Sequence, residues 1–214
     1  MEELRVEPTH PPEGPGPGQA RIGVLGGTFD PFHTGHLIAA QDVVEALSLD
    51  QLFLVPAAHP PHKDEEGLTP GSLRMRMIRA VVEDDPRFSV SDVELRRDGV
   101  SFTVDTLRAF RDLHPDAQLF LILGADQWRA FGGWRDPWEI ARMATLVVMT
   151  REGEGAAGDA GFGEAVAPAC TEVPVLRIDI SSTHIRERVR AGRSIRYLVP
   201  EAGRRIIEAA KLYL

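Results

Sequence analysis

His33 and His36 stand three residues apart in the run GGTFDPFHTGH at residues 26–36. An imidazole can meet a phosphate or bind a metal near neutral pH, so the pair could serve an anion, hold a metal or simply lie at the surface. Their surroundings favour the anion. Residues 21–25, RIGVL, read as a strand, and Leu37-Ile38-Ala39-Ala40 opens a helix. Between them Gly26 and Gly27 carry no Cβ, which lets a ligand approach the backbone. Pro31 stiffens the connection. A helix start presents unpaired N–H groups and a positive dipole end, both suited to phosphate.

Other chemistry-bearing residues recur further along. Residues 179–186 read DISSTHIR. There Ile180, Ser181 and Ser182 precede a helix and Arg186 lies one turn in. The hydroxyls could only cap the helix, or with the amides and the guanidinium they could grip phosphates. Lys63 ends PPHK at residues 60–63. It is either a point charge on a proline-stiffened loop or a solvated surface lysine. SFTVDTL, residues 101–107, places Thr103 and Asp105 at a helix start, which by itself is a cap with an acid in the first turn. Asp126 closes LGAD, where a carboxylate past a strand end can take ribose hydroxyls or cap the next helix. Of Trp128, Trp134 and Trp138, two are expected to be structural. Trp134 follows Gly132-Gly133, a flexible lead-in, and could stack on a pyridine ring. A metal cluster of His59 and His62 with His33 and His36 is disfavoured, because no carboxylates stand at ligand spacing.

GGTFDPFHTGH closely resembles the signature of the HxGH nucleotidyltransferase superfamily. PPHK, SFTVDTL (similar to SYTxDTL), LGAD and ISSTHIR (similar to ISSTxIR) follow in order, and the resemblance spans residues 21–214. Together they resemble the bacterial nicotinate mononucleotide adenylyltransferases. The resemblance implies transfer of AMP from ATP to nicotinate mononucleotide, with His33, His36, Lys63 and Arg186 as the catalytic set. It implies backbone contacts to ATP from Gly26, Gly27, Thr28 and Phe29. His33 and His36 would meet the α-phosphate and bridging oxygen, and Ile180, Ser181, Ser182 and Arg186 the pyrophosphate. Thr103, Asp105 and Trp134 would hold the nicotinate end and Asp126 the ribose. Mg²⁺ would travel with ATP, without a protein metal site. Phe102 stands where the motif has tyrosine, keeping the ring and losing the hydroxyl. Arg135 replaces an aromatic or polar residue. The nearest rival acceptor is nicotinamide mononucleotide.

These residues need a frame to bring them together. With 214 residues, 43% hydrophobic and 26% charged, the chain can bury a substantial core. Residues 1–20, rich in Pro, Gly and Glu, are expected to be a disordered tail. Apolar runs predict strands at 21–25, 52–55, 88–93 (near an edge), 119–123, 145–149 and 175–178. Helical patterns fall at 37–48, 73–82 with Ser72 as cap, 103–113, 182–191 and 201–212, with short helices at 125–131 and 137–143. Residues 152–169 read as a mobile Gly/Ala-rich loop. Strands alternating with helices predict an α/β class: a single Rossmann-like, doubly wound domain, its mainly parallel sheet flanked by helices. Loops 26–36, 56–70, 124–135 and 179–182 should then converge at the carboxyl ends of the strands.

No apolar stretch approaches the ~20 residues of a membrane span, and the first residues lack the pattern of a secretory signal. Cys170 is the single cysteine, so no intrachain disulfide forms, which fits a cytoplasmic location. The net charge of −8 argues against a nucleic-acid partner. A polyanionic small ligand needs positive groups gathered at one place, with His33, His36, Lys63 and the arginines after Ser182 as candidates. Oligomeric state stays open, a homodimer included.

Overall fold

The computed structural model describes residues 18–58, 67–151, 160–163 and 166–214. In chain order the elements are β1 (Arg21–Gly27), α1 (Thr34–Ala46), β2 (Gln51–Pro56), α2 (Gly71–Val82), β3 (Phe88–Val90), α3 (Thr103–Leu113) and β4 (Gln118–Gly124). There follow α4 (Ala125–Arg129), α5 (Pro137–Met143), β5 (Thr145–Arg151), β6 (Cys170–Val175), α6 (Ser182–Arg190) and α7 (Glu201–Ala209). The six strands form one sheet, ordered β3-β2-β1-β4-β5-β6. Every pairing is parallel. The chain winds outward from β1 to β3, then returns to lay β4 against the other side of β1. That reversal opens a crevice beyond the carboxyl ends of β1 and β4, the switch point where such sheets bind ligands.

Period-2 geometry explains why central strands read as unbroken apolar runs. On β4, Leu119, Leu121 and Leu123 face one layer, with Val104, Leu107 and Phe110 of α3 and Ile140 of α5. Phe120 and Ile122 face the other, with Val43 and Val44 of α1 and Ile78 and Val82 of α2. A third cluster joins Ile185 of α6 and Ile206 and Ile207 of α7 to Met77 of α2.

Several boundaries differ from the sequence reading. The sixth strand is Cys170–Val175, not 175–178. Glu172 and Pro174 are exposed while Val173 and Val175 are buried, the signature of an edge strand, whose outer side tolerates proline. β3 stops at Val90, three residues short of the expected end, and does lie at an edge. Pro70 is the N-cap residue of α2, so Ser72 sits inside the helix and does not cap it. α7 ends at Ala209 rather than 212, because Lys211, next after the Ala210 cap, takes a left-handed backbone conformation. Residues 1–17 of the predicted tail and 152–159 and 164–165 of the predicted mobile loop lie outside the described residues.

The described part of that loop is packed. Ala160 is buried, and its carbonyl accepts from the Gly132 amide at 2.8 Å. A Cβ on Gly132 would stand 2.5 Å from the Gly161 carbonyl oxygen. Gly132 therefore permits a close backbone approach rather than serving as the flexible lead-in its sequence suggested. Gly132→Ala should lower the melting temperature by about 4–8 °C, the range for ~2 kcal/mol of overpacking in a chain of this size. An unchanged melting curve would show that 160–162 does not dock on this turn.

Candidate active site

α1 begins with a reciprocal cap made by the two histidines. His33 is the N-cap residue, and its Nδ1 accepts from the His36 amide at 3.3 Å. The His33 amide donates to His36 Nδ1, also at 3.3 Å. A Ser/Glu pair usually fills this pattern; here two imidazoles do. Their rings stack with centroids 3.7 Å apart, while Phe32 stacks on His36 and Phe29 meets it edge-on. A nitrogen that accepts a hydrogen bond carries no proton, so each ring holds its proton on Nε2. The cap leaves both histidines with an Nε2–H donor.

Burial decides what kind of donor His33 is. The residue is buried, and desolvation lowers its pKa to about 4. At pH 7 it contributes a neutral N–H. This corrects the reading of His33 as one of the gathered cations. The free helix amides are also fewer than expected, since the Thr34 amide donates to the Leu198 carbonyl at 3.0 Å. Gly26 and Gly27 differ in kind. A Cβ on Gly26 meets open space, as a site for a ligand requires, whereas one on Gly27 would strike the Phe29 ring at 2.7 Å. Phe29 itself is buried and has φ of 50°, so it shapes the turn from within.

The 179–186 segment abuts this turn. Ser182 Oγ donates to the Pro31 carbonyl at 3.0 Å, and Arg186 Nη1 donates to the Asp30 carbonyl at 2.7 Å. Ser181 is exposed and caps α6 by accepting from the His184 amide. Ile180 packs on the third cluster. Thr28, half-buried, gives its carbonyl to Arg74.

Arg74 was not singled out by the sequence reading, because within α2 it resembles any helical arginine. It is 1% exposed. Its guanidinium donates to three carbonyls: Thr69 at 2.8 Å, Thr28 at 2.7 Å and Ala57 at 2.8 Å. Burial lowers its pKa, and the charge of Asp30 is the main opposing influence. Arg74 thus ties the glycine turn to both flanks of the loop that carries Lys63. Lys63, with His59 and His62, lies outside the described residues. Asp30 is the second buried group that was missed: its Oδ2 accepts from the Thr69 amide at 3.3 Å. Glu94 is the third. It accepts from Thr106 Oγ1 at 2.8 Å and from the Ala58 amide, and burial raises its pKa. It thereby links the start of α3 to the same loop flank.

On the α3 side, Thr103 is half-buried at the first helical position, and the preceding Phe102 makes no side-chain cap. Arg135 stands 4.8 Å over the Phe102 ring, which brings the Trp134 turn to the start of α3. Trp134 packs on Phe131 and stays half-buried. Trp128 is core, whereas Trp138 is 42% exposed, so the pair expected to be structural divides. Asp105 is engaged by Arg108, which also reaches Glu139 on α5. Asp126 has a side chain 98% exposed, paired only with Arg129 among the described ion pairs. Among the described residues no group of three or more His, Cys, Asp or Glu could hold a metal ion. No described helix is long and apolar enough to cross a membrane.

Hydrogen-bond donors gathered at a parallel-sheet switch point invite comparison with known proteins. The cytidylyltransferase-like family model matches residues 24–188. A Thermus thermophilus protein named "Probable nicotinate-nucleotide adenylyltransferase" is 45% identical over 195 residues, covering 90% of this chain and 99% of its own. A Salinibacter ruber protein of the same name is 43% identical, covering 90% and 97%. The chain belongs to the nicotinate-nucleotide adenylyltransferase family, within the cytidylyltransferase-like proteins. The same fold occurs in the Plasmodium falciparum nicotinic acid mononucleotide adenylyltransferase complexed with NaAD. That structure is 17% identical with a TM-score of 0.73, covering 91% of this chain and 98% of its own.

His33 gives this family member a pH signature. Its folded pKa of about 4 lies below the ordinary histidine value of 6.5. The unfolded chain therefore binds more protons between those values. The stability is complete above pH 6.5 and is lost as pH falls toward 4. His33→Asn keeps an N-cap acceptor without the titration. Denaturant unfolding at pH 7 and pH 5 should show the variant losing roughly 2 kcal/mol less than wild type between the two. Equal losses would mean that His33 is not buried as described.

Proposed function

We propose that this protein transfers AMP from ATP to nicotinate mononucleotide, giving nicotinate adenine dinucleotide and pyrophosphate. The observation that carries the reading is the contact of the histidine turn with α6, through Arg186 on the Asp30 carbonyl and Ser182 on the Pro31 carbonyl. It sets the two Nε2–H donors beside the element that would receive the leaving group. ATP enters as its Mg²⁺ complex, the ion held by phosphates and water. Asp30, the buried carboxylate nearest the turn, accepts from Thr69 and so is committed elsewhere.

The nucleophile is a phosphate oxygen of the mononucleotide, already ionised at pH 7. It attacks the α-phosphorus, a new P–O bond forms, and the bond to the bridging oxygen breaks with its electron pair leaving on pyrophosphate. No proton moves, so no general base is required. Positioning and charge stabilisation supply the acceleration. His33 and His36 donate to the α-phosphate and the bridging oxygen. Arg186 has guanidinium N–H groups beyond the two bonds it makes to Asp30 and Thr183, and it turns them to the pyrophosphate with Ser181, Ser182 and Ile180 beside it. Lys63 adds charge from a loop whose flanks Arg74 holds. Gly26, Gly27, Thr28 and Phe29 line the nucleotide. Trp134 and Thr103 receive the pyridine ring, with Asp105 beyond them and Asp126 toward the ribose. Arg135 adjoins that ring site and favours a carboxylate-bearing acceptor over the amide. The reaction belongs to the cytoplasm in this reading.

Pyrophosphate release with ATP, Mg²⁺ and a panel of acceptors tests the proposal. Nicotinate mononucleotide should be preferred, and His36→Ala should lower turnover by about 10²–10³-fold, the size expected for one transition-state donor. A preference for nicotinamide mononucleotide would overturn the acceptor assignment. Unchanged turnover in the variant would remove His36 from the mechanism.

A further inference from the structure

Asp30 holds the active-site turn from two directions. Its carbonyl receives Arg186, and its carboxylate is spent on groups that lie far away in the chain. One of those is the Tyr213 hydroxyl, which donates to Asp30 Oδ1 at 2.6 Å across 183 residues. The other is the Thr69 amide on Oδ2. The carboxylate is almost wholly buried, so each oxygen depends on its partner. A short bond from a phenol to a carboxylate is among the stronger hydrogen bonds available to a neutral donor. Burial, then Asp30 itself, push the Tyr213 phenol well above the usual tyrosine range, so it remains a donor at every working pH.

The backbone is arranged for this contact. α7 ends at Ala209, and both Lys211 and Tyr213 have positive φ, at 51° and 66°. Such conformations are unfavourable for residues with a Cβ and persist only where surrounding contacts impose them. Here they turn the chain back so that the tyrosine reaches the interior beside Thr69, whose side chain also hydrogen-bonds the phenol.

We propose that Tyr213 is a positioning residue: by holding the Asp30 carboxylate it fixes the turn at residues 28–36, and with it His33, His36 and Arg186. The phenol touches no reacting atom in this scheme and acts through Asp30. The inference rests on the adenylyltransferase reading for its kinetic consequence, but not for its structural one.

Tyr213→Phe removes the hydroxyl and keeps the ring. In the full-length protein, kcat should fall about tenfold, the scale of leaving one buried acceptor unmet. KM for both substrates should stay within about twofold, since positioning is felt in the transition state. Amide hydrogen exchange, read without substrates, should quicken at Thr34, His36 and Leu37 while the amides of β1 and β4 keep their wild-type rates. Asp30→Asn should lower kcat as well, and adding Tyr213→Phe to it should cost little more, because both act on one contact. Unchanged kcat, unchanged exchange at 34–37, or faster exchange spread evenly over β1 and β4 would each overturn the proposal. Failure of the wild-type protein to release pyrophosphate would instead overturn the adenylyltransferase reading, leaving the exchange result to decide the role of Tyr213.

Discussion

The reciprocal cap between His33 and His36 governs the rest of the site. Each ring spends Nδ1 on the other residue's amide; the His33 N–H depends on the His36 ring, while the His36 N–H is shared between His33 Nδ1 and the His33 carbonyl at 2.9 Å. The same bonds dictate the tautomer. Local helix-capping physics thus orients two Nε2–H donors in advance, which is the preorganisation that the proposed transfer requires. Phe29 and Phe32 pack on the His36 ring, edge-on and stacked, and hold its plane.

Around that pair, charge is used mostly for structure. Arg74 gives its guanidinium to three carbonyls, and Asp30 and Glu94 give their carboxylates to Thr69, Thr106 and Ala58. These groups join loops that follow different strands, because every such loop emerges at one edge of a parallel sheet and none packs through a regular ladder. A polar network at that edge takes over the role that apolar packing plays in the layers below. His33, neutral through burial, fits the same economy: it offers direction where a cation would first have to be desolvated.

Much of this was legible in the sequence. The alternation of apolar strands with amphipathic helices is local in origin, and the inward residues of α3, Val104, Leu107 and Phe110, lie where a 3.6-residue period puts them. The meeting of residues 26–36 with 179–186 follows from the topology. The misses have a common cause. Arg74, Asp30 and Glu94 act through contacts distant in sequence, and nothing in their neighbours distinguishes an engaged charge from a solvated one. β6 was displaced because an edge strand half-exposed to solvent carries Glu172 and Pro174 and so lacks an apolar run. Gly132 looked like a flexible lead-in because a glycine needed for close approach and a glycine needed for freedom have the same letter.

The tautomer state is the central claim, and nitrogen NMR of ¹⁵N-labelled imidazoles reports it directly. At pH 7, without ligand, His33 and His36 should both show an unprotonated Nδ1 and a protonated Nε2. A proton on Nδ1 of either ring, or a doubly protonated His33, would contradict the reciprocal cap and the donor geometry built on it.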